Sequence, residues 1–339
     1  MRQSFRLLLI VLLSLGALTT VFAQDPPPRP DGDGNRPPRP ENGERPPRPG
    51  GGGEEQQVEL GDDVLQVTLD ISDVETFADA LAAQVAAGDG AAIDDTFRNS
   101  GVVIDEAAGT YFAVNGVHPV NQGDYTSYYP KSIVEASLTD DTIVRAWSFD
   151  GIDEYEVDME GLTFGPQEGV LYIGDEYNLI FALDLESGEI LRIWDLSVLG
   201  VSTGADRGIE AITYDPVTGN FLVGVQDSRE IITLDLGIEA GLPIQEVSRF
   251  SVPTSPSGLF AHSDGTLYVV TMQGSQVVYR YTMDGELLCA IDLPSELGMT
   301  RPDGIYITSD DANVYLADSQ GPLFGGYSMY RIGWTDPCN

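Results

Sequence analysis

A phrase of about fifteen residues recurs five times in this chain, at 101–115, 161–175, 211–225, 258–271 and 304–318. Each copy reads apolar run, polar turn, apolar run, as in Gly161-Leu-Thr-Phe-Gly-Pro-Gln-Glu-Gly-Val-Leu-Tyr-Ile-Gly-Asp175. Successive starts lie 60, 50, 47 and 46 residues apart. Short strands repeating with a period near 40–50 residues are the signature of a β-propeller. A single unit would leave apolar side chains bare on both faces, so the copies must stack against one another around an axis.

Each phrase supplies two strands, here termed A and B, joined by a tight turn. Further apolar runs supply a third strand, C, at 132–138, 179–185, 230–236, 276–283 and 327–332. A fourth, D, is legible at 142–149, 189–196, 245–252 and 286–293. Glu186-Ser-Gly188 and Asp284-Gly285 provide the turn chemistry between C and D. Five blades thus have only four D strands, and the chain ends soon after Trp334. The run 64–71 precedes the first repeat and has the right length, so the sequence predicts that it closes the ring as the fifth blade's outer strand. Residues 74–87 are rich in Ala, carry Phe77, Leu81 and Val85 at helical spacing, and follow Asp73 as a cap, which predicts a short helix. The expected fold is all-β: a five-bladed β-propeller over 58–339, with blades opening near 99, 159, 209, 256 and 302. The alternative is a six-bladed ring in which 72–98 hold a degenerate blade.

Ahead of this domain, Arg2 and Arg6 precede an apolar stretch over 7–18, and Val21-Phe22-Ala23 offers a small-residue cleavage pattern. Residues 1–23 read as a signal peptide, which places the protein in the periplasm, on the cell surface or outside the cell. An uncleaved anchor is the alternative and the one expected route to a membrane. Residues 24–57 are Pro- and Gly-rich, with three Pro-Pro-Arg-Pro segments, and read as an extended or disordered tether. In an exported protein the two cysteines, Cys289 and Cys338, are expected to pair. Of 54 acidic and 17 basic residues, seven of each precede residue 58, which leaves 47 acids and 10 bases for the domain. Such a surface repels phosphates and attracts cations, so nucleic acid is excluded as a partner. A solubilising acidic surface accounts for much of this charge.

Two columns of the repeat carry candidate chemistry. At the start of strand A stand Ser100, Glu160, Glu210, Ser257 and Asp303. At the end of strand B stand Asn115, Asp175, Val225, Thr271 and Asp318, with Glu176 and Asp227 just beyond the column. In a propeller both columns converge on the mouth of the central channel. Clustered carboxylates there repel one another and must bind a cation, hold protons or hydrate. Oxygen-only ligands suit Ca²⁺ rather than Zn²⁺. The expectation is a central Ca²⁺ held by Glu160, Glu210 and Asp303, with Asp175 and Asp318 nearby; the alternative is that these acids cap strand ends and bind water.

Other candidates are weaker. His118 opens a long insertion, 117–130, on the same face and is a candidate general base, or simply part of a longer loop. Arg207, Arg229 and Arg301, with Asp227, are candidate ligand-binding residues, the arginines for an anion if one binds. The surplus of acids offers them ion-pair partners instead. Gly200-Val-Ser202-Thr-Gly204 fits G-x-S-x-G, yet no helix follows it, so it is not read as a nucleophile elbow.

Asp158-Met-Glu-Gly-Leu-Thr-Phe164, Asp175-Glu-Tyr-Asn178, Gly208-Ile-Glu-Ala-Ile-Thr-Tyr214 and Arg301-Pro-Asp-Gly-Ile305 resemble the SdiA-regulated family of exported β-propellers. More distantly they are similar to the esterase-like domain named after phytase and to the senescence-marker/gluconolactonase group. The resemblance covers about 150–339. It implies an extracytoplasmic propeller, in some members linked to calcium. In the lactonase group an acid in an E-G motif and one in a P-D-G motif bind a divalent metal, and the matching positions are Glu160 and Asp303. No P-N-G motif occurs; Ser257-Gly258 stands in its place. The sequence thus supports a calcium-binding module for binding or sensing, expected to be monomeric, with a small molecule or an extracellular protein as partner. A metal-dependent hydrolase of phosphoesters, esters or lactones is the rival.

Overall fold

Strand periodicity sets the architecture of all five blades. The computed structural model describes residues 64–68, 74–77, 99–115, 132–140, 142–148, 157–201, 208–238, 241–271, 276–319 and 329–338. The expected signal peptide, the tether, His118 and Arg207 lie outside these residues.

Strands β1 (Leu65–Thr68) and β2 (Val74–Phe77) come first. Blade one is β3 (Asn99–Asp105), β4 (Thr110–Asn115), β5 (Ser132–Ser137) and β6 (Ile143–Ser148). Blade two is β7 (Met159–Phe164), β8 (Val170–Asp175), β9 (Leu179–Asp184) and β10 (Ile190–Asp195). Blade three is β11 (Ile209–Asp215), β12 (Asn220–Val225), β13 (Glu230–Asp235) and β14 (Gln245–Ser251). Blade four is β15 (Pro256–Ala261), β16 (Thr266–Thr271), β17 (Val277–Thr282) and β18 (Leu287–Asp292). Blade five holds β19 (Pro302–Ile307), β20 (Asn313–Asp318) and β21 (Met329–Gly333). Each sheet is antiparallel in sequence order, apart from the N-terminal strands that join two of them. The fold is therefore an all-β, five-bladed propeller, and two short 3-10 turns are its helical elements among the described residues.

An N-terminal strand does complete the fifth blade, but it is a different segment from the one the sequence suggested. β2 pairs antiparallel with β21, from Val74 opposite Ile332 to Phe77 opposite Met329. The expected closing run, 64–71, instead supplies β1, which adds to blade four as a fifth strand, parallel to β18. The expected helix over 74–87 is thereby corrected at its start, since its first four residues are strand β2. Sheet pairing at an exposed outer edge outweighs local helix propensity here; the remainder of that segment lies outside the described residues.

Each A–B turn needs one residue with positive φ, and glycine supplies it in four blades: Gly109, Gly169, Gly219 and Gly265. In blade five Asp311 takes this conformation, at φ 57. Between blades lie five apolar clusters, one for each adjacent pair. Val103, Phe112, Leu162 and Phe181 fill the space between blades one and two. Tyr172, Trp194, Ile212 and Phe221 join two and three, and Leu222, Leu259 and Tyr279 join three and four. Tyr268, Ile291, Ile305 and Trp334 join four and five, and Val102, Tyr111 and Tyr315 close five onto one. Fully burying one such side chain is worth about 1.5–3 kcal/mol, so stability resides in the seams between sheets. Cys289 on β18 and Cys338 in the C-terminal tail form a disulfide across the seam between blades four and five.

A candidate metal centre at the axial mouth

The innermost strand of every blade is its first, and these strands touch in the cyclic order β3, β7, β11, β15, β19 and back to β3. In four of the five they approach so closely that a side chain at the third position would strike backbone; in blade three that position is Ala211. A Cβ on Gly161 would lie 2.7 Å from the Ile212 nitrogen, and one on Gly304 would lie 2.9 Å from the Val102 nitrogen.

Just before this packing position every inner strand carries a β-bulge. The register shifts between Asn99 and Gly101, Met159 and Gly161, Ile209 and Ala211, Pro256 and Gly258, and Pro302 and Gly304. The residue inside each bulge is the column singled out from sequence: Ser100, Glu160, Glu210, Ser257 and Asp303. A bulge re-aims a side chain out of the regular alternation. All five are 2% exposed or less.

Three carboxylates gather at this end of blade two. Asp158, Glu160 and Glu176 each place one oxygen within 4.8 Å of the others, and all three are buried. The inner hairpin holds them, because the Glu176 N–H donates to the Asp158 carbonyl at 2.9 Å, one residue beyond the β7–β8 ladder. Neither oxygen of Glu160 accepts a hydrogen bond, and Glu210 lies against Glu176. Burial pushes the Glu160 carboxyl well above the usual carboxylate range, with Asp158 and Glu176 adding to the shift against Arg301. Glu210 is raised for the same reasons, burial first and then Glu160 and Glu176.

On the other side of the mouth the acids meet a base. Arg301 Nε lies 3.1 Å from Asp303 Oδ1, and its Nη2 lies 3.6 Å from Glu210 Oε2. Burial still raises Asp303 to about 6, although Arg301 opposes it. Burial works to lower Arg301, yet Asp303, Glu160 and Glu210 together hold it above its ordinary value.

The acids ending the B strands serve the backbone. Asp175 accepts the Asp158 N–H at 2.5 Å and the Tyr177 N–H at 2.9 Å. Asp318 accepts the Thr300 and Arg301 N–H groups at 2.6 and 3.1 Å. Both fix the loop that leads into the inner strand of their own blade. Arg229 and Asp227 sit on the exposed turn between β12 and β13, where Arg229 donates to the Pro253 carbonyl at 3.3 Å. Gly200 ends a 3-10 turn with φ 74, which accounts for the first glycine of the G-x-S-x-G match.

Glu176 lies just beyond the strand-B column, and Asp158 belongs to neither column, so the repeat does not single it out as a ligand. The bulge at Glu160 breaks the regular alternation of the strand, so spacing alone does not bring Asp158 to the same side as Glu160.

An ion fits these residues. Oxygens bonded to one calcium at about 2.3–2.6 Å can stand up to about 5 Å apart, which the cluster satisfies. The unpartnered oxygens of buried Glu160 are the groups a cation would satisfy.

No family model matches the chain, and no curated protein matches it. Among solved structures, the glutaminyl cyclase of Myxococcus xanthus is similar over 80% of this chain and 100% of its own, with 13% identity and a TM-score of 0.52. A nidogen/laminin complex is similar over 67% of this chain and 74% of that one, with 14% identity and a TM-score of 0.45. The first likeness is one of fold.

Proposed function

We propose that this protein is an exported, calcium-binding β-propeller that acts as a binding or sensing module, with one ion at the axial mouth. The observation that carries the reading is the triad Asp158, Glu160 and Glu176, buried together around the unpartnered carboxylate of Glu160. Water would hydrate such acids if they were exposed; buried, they need a positive charge or protons. An all-oxygen donor set favours a hard divalent cation. The motifs shared with the SdiA-regulated family support the same reading and the extracytoplasmic location, and the export signal read over 1–23 supports the latter.

The rival, a metal-dependent hydrolase, is less well supported for anionic substrates. The guanidinium nearest the ion already pairs with Glu210 and Asp303. Titration calorimetry with Ca²⁺ tests the proposal. One tight ion is expected on the wild type, and Glu160→Gln is expected to weaken it by roughly tenfold or more, since even outer-shell partners of metal ligands cost that much. Wild type that binds no calcium, or binding unchanged in Glu160→Gln, would reject it. Calcium-dependent turnover of an ester, lactone or phosphoester that Glu160→Gln abolishes would transfer the site to the hydrolase reading.

A further inference from the structure

Arg301 stands in blade five where Asp158 stands in blade two. Each is the residue directly before its inner strand. Each has its backbone N–H held by the aspartate that ends the second strand of its own blade, Asp175 for Asp158 and Asp318 for Arg301. One backbone frame therefore delivers an anion to the mouth from blade two and a cation from blade five. The Arg301 side chain is 14% exposed and reaches both Asp303, at 3.1 Å, and Glu210, at 3.6 Å. The carboxylates of that pair are both buried, with Ser319 beside Asp303 and Glu176 beside Glu210.

We propose that Arg301 is an internal counter-ion that limits the mouth to a single divalent cation. Its guanidinium occupies the position between Glu210 and Asp303 that a second hard cation would otherwise take. The inference rests on the metal reading given above, with Asp158, Glu160 and Glu176 as the ligands of the one ion. Charge counting supports it. Asp158, Glu160, Glu176, Glu210 and Asp303 bring five negative charges when ionised. One divalent ion and Arg301 offset three of them. Without Arg301, one ion offsets two and leaves a strongly anionic pair facing it, whereas a second ion brings the mouth close to neutrality. Specificity for one ion over two thus comes from an occupant built into the chain. Asp303, which the sequence resemblance implies as a metal ligand, here serves Arg301 instead.

The test counts calcium ions on the full chain by native mass spectrometry and calorimetry, at about 0.15 M salt so that scattered surface acids are screened. Wild type is expected to hold one tight ion. Arg301→Gln is expected to hold two, and Arg301→Lys, which keeps the charge, one. Asp303→Asn, which leaves Arg301 paired with Glu210, is expected to keep the single ion with affinity within about threefold of wild type. Two ions on the wild type, one ion on folded Arg301→Gln, or loss of the ion in Asp303→Asn would each overturn the counter-ion role while leaving calcium binding itself in place. If Arg301→Gln does not fold, Arg301→Met, which keeps an apolar stem of similar length without the charge, takes its place in the count, with two ions expected and one ion overturning the role. Absence of any ion on the wild type would instead remove the metal reading and this inference with it.

Discussion

At the scale of single residues, the acids of this chain divide by what surrounds them. Asp175 and Asp318 collect backbone N–H groups, Asp303 collects a guanidinium, and Glu160 collects neither. On the far side of the propeller His262 is shared by two more acids, Asp264 at 2.9 Å and Asp311 at 2.7 Å. Burial works to lower the His262 pKa, but its hydrogen bonds to Asp311 and Asp264 raise it above the ordinary 6.5. A raised folded pKa means that the protonated bridge contributes its full stability below about pH 6.5 and loses it as pH rises through the folded value. His262→Gln is therefore expected to lower the melting temperature more at pH 5.5 than at pH 8.5. An equal loss at both would show that the bridge acts by packing alone. His262 stands in the turn between β15 and β16. That the turn residue joins blades four and five was not legible, because Asp311 lies 49 residues away.

At the scale of elements, the inner strands carry two demands at once. Their second residue must leave the sheet to face the mouth, and their third must let the neighbouring backbone pass. The bulge meets the first demand and glycine the second, except in blade three, where Ala211 stands. Gly161→Ala would set a Cβ 2.9 Å from the Ala211 Cα and 2.7 Å from the Ile212 nitrogen, atoms that cannot swing aside. A loss of about 1–3 kcal/mol is expected, as for other overpacked sites, and denaturant unfolding measures it. Stability unchanged by this substitution would contradict the close axial packing. The A to C strands of the five blades were legible because their apolar runs are buried between neighbouring sheets, and the D strands of blades one to four because turn residues mark the hairpins before them. β1 was legible as a strand but its pairing with β18 was not, and β2 was not legible, since strands at the outer edge answer to few such constraints. Residues 74–77 sit in an Ala-rich run of helical appearance, yet the open edge of β21 takes them as a strand. The bulge column was legible from the repeat alone. Asp158 was not, because the corresponding places in blades three to five hold Gly208, Ser255 and Arg301 and form no column of one chemistry.

At the scale of the whole molecule, five apolar seams close a ring whose first and last blades meet through Val102, Tyr111 and Tyr315. The N-terminal strands and the Cys289–Cys338 bridge both fasten blades four and five, on the C-terminal side of that closure. In the chain-entropy picture a bridge across 49 residues is worth about 4 kcal/mol, comparable to a few buried side chains. Such a ring holds its axis rigid, and a rigid axis is what allows acids from three blades to be kept together against their own repulsion. A divalent cation is expected to offset this repulsion. A crystal structure of the protein grown with calcium tests it most directly. One ion is expected at the axial mouth, bonded to Asp158, Glu160 and Glu176, with Arg301 still between Glu210 and Asp303. A mouth filled by ordered water alone at millimolar calcium, with Glu160 bonded to no ion, would contradict it.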